Sequence, residues 1–259
     1  MTTLSIEPIV TSALLSAVPG LVHGFTTRAL GSMAGQIYPA EEQARNRAAL
    51  AALIGMPLVK ASQIHSADVV LVENGVATRL RDGASEPISS AMQLEADALI
   101  TRERGVALAV AVADCAPVLV ATADWIGVAH AGWEGASRRI VVAMCDAIAA
   151  RGGRIGDARG VVGPAICAGG YTIDSARAAV IRDRLGNTGS LISTRADGLY
   201  EFDIPGEVAA QLGDAGVTRI QALDRCTEEE VDVFFSHRGE QGKAGRGLAF
   251  IGWTLSERA

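Results

Sequence analysis

The stretch Val106-Ala107-Leu108-Ala109-Val110-Ala111-Val112 runs through Ala113-Asp114-Cys115-Ala116-Pro117 and Val118–Ala121 to Trp125-Ile126-Gly127-Val128-Ala129. Its apolar residues are consecutive rather than alternating. A strand with one wet face alternates, whereas a strand covered on both faces reads as an unbroken apolar run. Val106–Val112, Val118–Ala121 and Trp125–Ala129 are therefore predicted as strands inside a layered protein. Moving outward, the same signal predicts strands at Val69–Val72, Ala98–Ile100, Gly160–Val162, Arg219–Ala222, Val231–Phe235 and Leu248–Trp253.

Helical patterns occupy Ala40–Ile54, Gly135–Arg151, Ser175–Leu185 and Pro205–Leu212. In the second, Ile140, Val141, Met144 and Ile148 share one face, and Gly152 supplies a stop. Strands and helices interleave irregularly, which predicts a layered α/β (α+β) fold rather than a regular parallel alternation. Arg79 to Glu95 is the most polar stretch and reads as a loop. Gly152-Gly153 and Gly186-Asn187-Thr188-Gly189 are further breaks. With no repeat and no low-complexity linker, residues 1–259 are expected to form one domain.

Hydrophobic residues make up 49% and charged residues 20%, the balance of a globular chain. A net charge of −6 argues against a nucleic-acid surface. No apolar run is long enough to span a bilayer. Met1 to Gly20 has no basic start followed by a continuous apolar stretch, so a cytoplasmic protein is expected. Cys115, Cys145, Cys167 and Cys226 are spread out, with no Cys-x-x-Cys pair, and are expected to be free thiols.

Three residues stand apart from packing: His65 in Gln63-Ile64-His65-Ser66, Cys115 in Ala113-Asp114-Cys115, and His130 in Ala129-His130-Ala131-Gly132-Trp133. Two imidazoles and one thiolate form a three-ligand zinc set with one position open, the pattern of a catalytic site. These ligands can meet only through the fold. The alternative is a small buried cysteine and two hydrogen-bonded core histidines.

His23-Gly24-Phe25-Thr26-Thr27-Arg28, Gln63-Ile64-His65-Ser66, Ala96-Asp97-Ala98-Leu99-Ile100-Thr101, Ala113-Asp114-Cys115, Ala129-His130-Ala131-Gly132-Trp133, Gly163-Pro164-Ala165-Ile166 and Phe235-Ser236-His237-Arg238 occur in that order. The series resembles the YfiH family, described as laccase-like polyphenol oxidases and also known for purine nucleoside phosphorylase and adenosine deaminase activities. The resemblance implies a layered α/β fold with mixed sheets and assigns His65, Cys115 and His130 as the metal ligands. There are departures. Glu134 follows Ala-His-Ala-Gly-Trp where the family commonly has Arg. Thr172 follows Tyr171 where it commonly has an acid, with Asp174 nearby. The loop after Arg28 is shortened.

Beside the metal, Asp114 is a candidate to orient a ligand or carry a proton, its alternative being a turn residue. With Cys115 and His130 it makes the catalytic candidates. Arg28 and Arg246 are candidates to clamp phosphate, because guanidinium forks match its oxygens. Gln63 completes the substrate-binding candidates. His237 is read as a non-ligand histidine, His23 as structural and Trp133 as aromatic packing.

The leading expectation is a zinc-dependent purine nucleoside enzyme, acting by phosphorolysis, by deamination with Asp114 as shuttle, or by both. Its partners are small molecules, the nucleoside and phosphate, with no nucleic acid and no membrane. Three other readings use the same residues. One is copper-dependent phenol oxidation, for which four histidines are few and no Met flanks a ligand motif. Another is a metal-free hydrolase with Cys115 as nucleophile and one histidine as base. The last is a structural zinc site closed by His237.

Overall fold

The computed structural model describes residues 6–81, 84–88, 94–186 and 192–255. Strands and helices are numbered in chain order. A five-stranded sheet runs β1 (Ile9–Val10), β2 (Leu21–Thr26), β16 (Gly247–Trp253), β8 (Ala107–Val112), β3 (Leu58–Lys60). An eight-stranded sheet runs β15 (Arg219–Ala222), β11 (Arg159–Val162), β9 (Ala116–Ala121), β10 (Ile126–Ala131), β7 (Ala98–Thr101), β4 (Val69–Glu73), β5 (Val76–Arg81), β6 (Ala84–Ile88). A small third sheet joins β12 (Thr172–Ile173), β14 (Tyr200–Phe202) and β13 (Ile192–Thr194). Both large sheets are mixed: β3 with β8, β4 with β7 and β11 with β15 are parallel, and the other pairs antiparallel.

The two large sheets pack face to face. Leu108, Val110, Ala249, Ile251 and Phe25 of the first meet Leu99, Leu119, Val128 and Val161 of the second. On the outer face of the eight-stranded sheet, Val118, Val120 and Ala129 pack against Ile140, Met144 and Ile148 of α4 (Ile140–Ala149) and Val208 and Leu212 of α6 (Ile204–Asp214). On the outer face of the five-stranded sheet, Ala109, Ala111, Leu248 and Phe250 pack with Met33 and with Leu50 of α2 (Ala40–Ile54). Successive residues of β8 and β9 thus face opposite apolar layers, which is why their runs are unbroken.

Several predicted elements differ. The polar stretch from Arg79 contains the antiparallel β5–β6 pair, at the edge of its sheet. An edge strand meets water, so Glu86 and Pro87 are tolerated there and mask the strand signal. Val231–Phe235 is a run of turns, with the Val233 and Phe234 N–H groups both donating to the Glu230 carbonyl. Phe234 and Phe235 are apolar because they are buried beneath those turns. Gly135–Arg151 divides into α3 (Trp133–Ser137) and α4, with Arg139 between them in the left-handed region at φ 59°. Asn187–Gly189, predicted as a break, lies outside the described residues. Cys167 and Cys226, expected to be free, form a disulfide, whereas Cys115 and Cys145 are free. Its spacing of 59 residues is invisible as a motif; it forms because a bridge at Ala165 and Cys226 brings the two segments together. Among the described residues, no helix is long and apolar enough to cross a membrane.

Candidate metal centre

The chain leaves one large sheet and enters the other at two places close to one end of the sandwich. Residues 113–115 carry it from β8 to β9, and residues 61–68 from β3 to β4. Cys115 sits on the first crossing and His65 on the second. His130 is the penultimate residue of β10, where it pairs with Pro117 of β9. Strands β8 and β10 belong to facing sheets. Their ends still coincide, and ligand atoms of His65, Cys115 and His130 lie within 4.8 Å of one another. The two imidazoles meet edge-on, centroids 5.1 Å apart.

Asp97, fully buried at the start of β7, organises this cluster. Its Oδ1 lies 2.9 Å from His130 Nδ1, which leaves Nε2 to face the cluster. Its Oδ2 accepts from the Ser66 N–H at 2.6 Å, the Ser66 hydroxyl at 2.9 Å and the Ile64 N–H at 3.2 Å. One carboxylate therefore fixes the ring of His130 and the turn that carries His65, itself at φ 58°. A carboxylate behind a histidine fixes ring orientation and raises its basicity toward a metal.

Burial alone would raise the Cys115 thiol, but the adjacent His130 charge outweighs it and brings Cys115 down to about 6. Burial alone would depress His130, but the Cys115 thiolate and Asp97 outweigh it and lift His130 to about 9. His65 is raised, chiefly by its hydrogen bond with Cys115. For Asp97, burial is outweighed by the donors His130 and Ser66, so it stays ionised. A thiolate facing two imidazoles, one oriented by an acid, is a donor set that fits zinc.

Asp114 lies beside this set at φ 83°, in the left-handed region. Its Oδ1 accepts from the Thr227 hydroxyl at 2.7 Å and its Oδ2 from the Arg238 N–H at 2.6 Å. Both oxygens are thus engaged in holding the turn before Cys115. Gln63 makes two hydrogen bonds to the Ala111 backbone, at 2.6 and 2.8 Å, and lines the cavity over the cluster. Arg28 is away from the cluster: it pairs with Glu240 at 2.5 Å, donates to the Phe234 carbonyl and lies over the Phe235 ring. These contacts tie it to the segment from Phe234 to Glu240.

A cavity of about 810 Å³ opens over the cluster, lined by His65, Cys115 and His130 and by Trp133, Tyr171, Arg177, Arg238 and Arg246. Arg246 thus lies in the wall of this cavity. His237 lines the same cavity without joining the ligand cluster, its Nδ1 3.5 Å from Arg246 Nη2. His23 is remote, accepting from the Ser12 N–H at 2.9 Å. Thr172 bonds Arg238 through its hydroxyl at 3.1 Å. Burial pushes the Tyr171 phenol up to about 12, so it remains a neutral donor. A second cavity, of about 1160 Å³, lies beyond His65 and holds Glu134, which pairs with Arg138. Sequence reading missed Asp97, Tyr171 and Arg177. For Asp97 a signal existed: an acid set directly before the apolar residues Ala98-Leu99-Ile100 must be buried with partners.

A family described as multi-copper polyphenol oxidoreductase laccase matches residues 23–254. The chain belongs to that family. Its likeness to the YfiH proteins is direct. The crystal structure of YlmD from Geobacillus stearothermophilus superimposes with a TM-score of 0.82 at 30% identity, covering 97% of this chain and 98% of that one. A Bacillus licheniformis hypothetical protein YfiH gives 0.81 at 28% identity, covering 96% and 100%. A protein of Deinococcus radiodurans named purine nucleoside phosphorylase is 33% identical over 255 residues, covering 93% of this chain and 91% of the relative. One of Mycobacterium tuberculosis strain H37Rv with the same name is 36% identical over 201 residues, covering 75% and 73%. The layered α/β fold of this YfiH-family chain is therefore the family's own.

Proposed function

We propose that this chain is a zinc enzyme that cleaves purine nucleosides by phosphorolysis, with His65, Cys115 and His130 holding the metal. The observation that carries the reading is the convergence of these three side chains on one point, with Asp97 behind two of them. The relatives named purine nucleoside phosphorylase supply the substrate class. When bound, zinc supplies a Lewis acid at the cavity floor. The rest is done by the chain. Arg238 and Arg246 present cationic donors to the cavity for phosphate. Tyr171 offers a neutral hydroxyl, and Trp133 an apolar ring against which a purine stacks.

Phosphorolysis is preferred to deamination because deamination needs a carboxylate to move protons at the purine ring. Asp114 is the one carboxylate among the described residues lining the cavity, and both its oxygens are engaged. Thr172 offers no acid. A Cys115 hydrolase is less well supported, since a dyad uses one base and here both histidines turn to the thiol. Oxidase chemistry by several coppers needs more histidines than two, and His23 and His237 stand apart from the cluster.

The test is elemental analysis of protein purified without added metal, followed by assay on adenosine, inosine and phenolic substrates, each with and without phosphate. Expected are one zinc per chain and nucleoside cleavage that requires phosphate. Zinc-replete protein that cleaves no purine nucleoside defeats the reading, and copper with phenol turnover replaces it.

A further inference from the structure

Asp114, the residue before Cys115, is gripped by the immediate neighbours of the Cys167–Cys226 disulfide. The Ile166 N–H donates to its carbonyl at 2.9 Å, and the Thr227 hydroxyl to its Oδ1 at 2.7 Å. Ile166 precedes Cys167, and Thr227 follows Cys226. Each half-cystine is thus one residue from a group that holds the turn carrying a candidate ligand. The same segment continues into the cavity wall. Ile166 and Tyr171 both line it, and the Tyr171 N–H donates to the Cys167 carbonyl at 3.2 Å.

The disulfide lies where regular pairing has ended. β11 and β15 are in register from Arg159 and Arg219 as far as Val162 and Ala222. Further on, the two segments meet at an isolated bridge between Ala165 and Cys226. There the Ala165 N–H donates to the Arg225 carbonyl at 3.2 Å and the Thr227 N–H to the Ala165 carbonyl at 3.0 Å. A short run of hydrogen bonds beyond a ladder opens more easily than the ladder itself. The covalent link therefore carries much of the grip on Asp114.

The sulfurs are also placed for exchange. Cys167 is half-buried and Cys226 is 8% exposed, so an incoming thiolate meets Cys167 Sγ first. The Cys167 N–H donates to Cys226 Sγ at 3.2 Å, a contact that stabilises Cys226 as the departing thiolate. Glu229 Oε1 lies 3.7 Å from Cys167 Sγ, where it accepts from the Cys167 thiol once that forms. The two Cα atoms are 5.1 Å apart across the bridge, so closing the bond again needs no backbone movement.

We propose that Cys167–Cys226 is a thiol–disulfide exchange site, reduced by a dithiol, whose opening loosens the Cys115 turn and weakens the metal centre. In the first step a thiolate of the dithiol bonds to Cys167 Sγ, the Cys167–Cys226 bond breaks, and Cys226 leaves as thiolate. The second thiolate of the dithiol then attacks its own sulfur in the mixed disulfide. Cys167 is released as thiolate, and the dithiol departs as a cyclic disulfide. The protein gains two electrons and two protons, and the dithiol loses both. The effect on metal affinity rests on the zinc reading, whereas the effect on the turn does not.

The test compares metal-free parent protein before and after dithiothreitol with the double variant Cys167→Ser, Cys226→Ser. Intact mass follows the bond, and hydrogen–deuterium exchange follows the turn. Expected is a gain of two hydrogens on reduction, reversed by oxidised dithiothreitol. The amides of Ile166 and Arg238, which donate to Asp114, should exchange at least about tenfold faster in the reduced protein and in the double variant. Those of Val69–Glu73, in β4, should keep their rates. Zinc affinity of the double variant, by chelator competition, should be about tenfold weaker than that of the disulfide-bonded parent. A bond that dithiothreitol leaves intact in the folded protein overturns the proposal, as do thiols that never pair. Unchanged exchange at Ile166 and Arg238 overturns it too, and equal acceleration of every amide shows a staple of the whole fold instead. A looser turn with unaltered zinc affinity overturns the link to the metal. A parent that binds no zinc defeats the zinc reading, and the exchange rates alone then decide the link to the turn.

Discussion

His130 Nδ1 and Asp97 Oδ1 are 2.9 Å apart, and both side chains are closed to solvent. The same carboxylate receives three donors from the Ile64–Ser66 turn. Asp97 is therefore the hub of the ligand set, although it contributes no ligand. Asp97→Asn keeps the shape but removes the charge and reverses one end of the hydrogen bonding. Zinc affinity should fall by about 10–100-fold. Competition with a calibrated chelator measures it, and wild-type affinity in Asp97→Asn would show that Asp97 serves the core alone.

Gly132 gives a steric test of the same cluster. A Cβ there would lie 3.1 Å from Cys115 Sγ and 3.2 Å from His65 Cδ2. Its backbone, at φ −78°, is one that any residue adopts, so Gly132→Ala brings no backbone strain. The methyl must instead displace two ligands. Zinc affinity should drop while the thermal midpoint of the metal-free protein stays near that of the parent. Unaltered zinc binding by Gly132→Ala would mean the cluster has slack that this geometry denies.

His23 predicts a pH effect distant from the cavity. Burial lowers its pKa from 6.5, and the lone pair that Nε2 offers to the Ser12 N–H exists only on the neutral ring. Below pH 6.5 the unfolded chain takes up a proton that the folded chain resists. Its share of stability is thus present above that pH and lost as pH falls through and below it. His23→Gln accepts the same hydrogen bond and does not titrate. Denaturant melts from pH 7.5 to 5 should show a shallower acid decline for the variant, and parallel curves would remove His23 from the account.

The Cys167–Cys226 cross-link closes a loop of 59 residues. A loop of that length stabilises by about 2–4 kcal/mol through the unfolded state. Intact mass under non-reducing conditions should show two hydrogens fewer than under reduction. Cys167→Ser should lower the thermal midpoint in non-reducing buffer and leave it unchanged in reducing buffer. Equal midpoints for parent and variant in both buffers would show that the thiols stay unpaired.

The legible part of this protein was its buried interior. Val106–Val112 and Ala116–Ala121 are apolar on every residue because each face of each strand meets a packed layer, and that condition prints itself on the sequence. Edge strands print nothing comparable: Ala84–Ile88 carries Glu86 and Pro87 because water, not a layer, lies beside it. The candidate ligands were named from motifs, and their meeting was not readable there. His65 and Cys115 lie on crossings between two sheets, a relationship that strand-by-strand reading cannot supply. Arg28, a cation in a matched motif, gives no sign in the sequence of its partner. Only the fold places Glu240 beside it. Arg177 went unnoticed for the converse reason, since a helical arginine looks solvated until its ring neighbour Trp133 is known.

The Asp114 turn has a further consequence for how the chain is made. The candidate ligands His65, Cys115 and His130 and their hub Asp97 all precede residue 131. The groups that secure the turn before Cys115 come much later: Thr227 is 113 residues downstream of Asp114 and Arg238 is 124. A chain ending between these points holds all three candidate ligands, yet its left-handed turn lacks the hydrogen bonds from Thr227 and Arg238. Proteins built vectorially fold their leading segments first. Here the leading segment is chemically complete and geometrically unfinished, so the final strand and the turns before it act as the last latch of assembly.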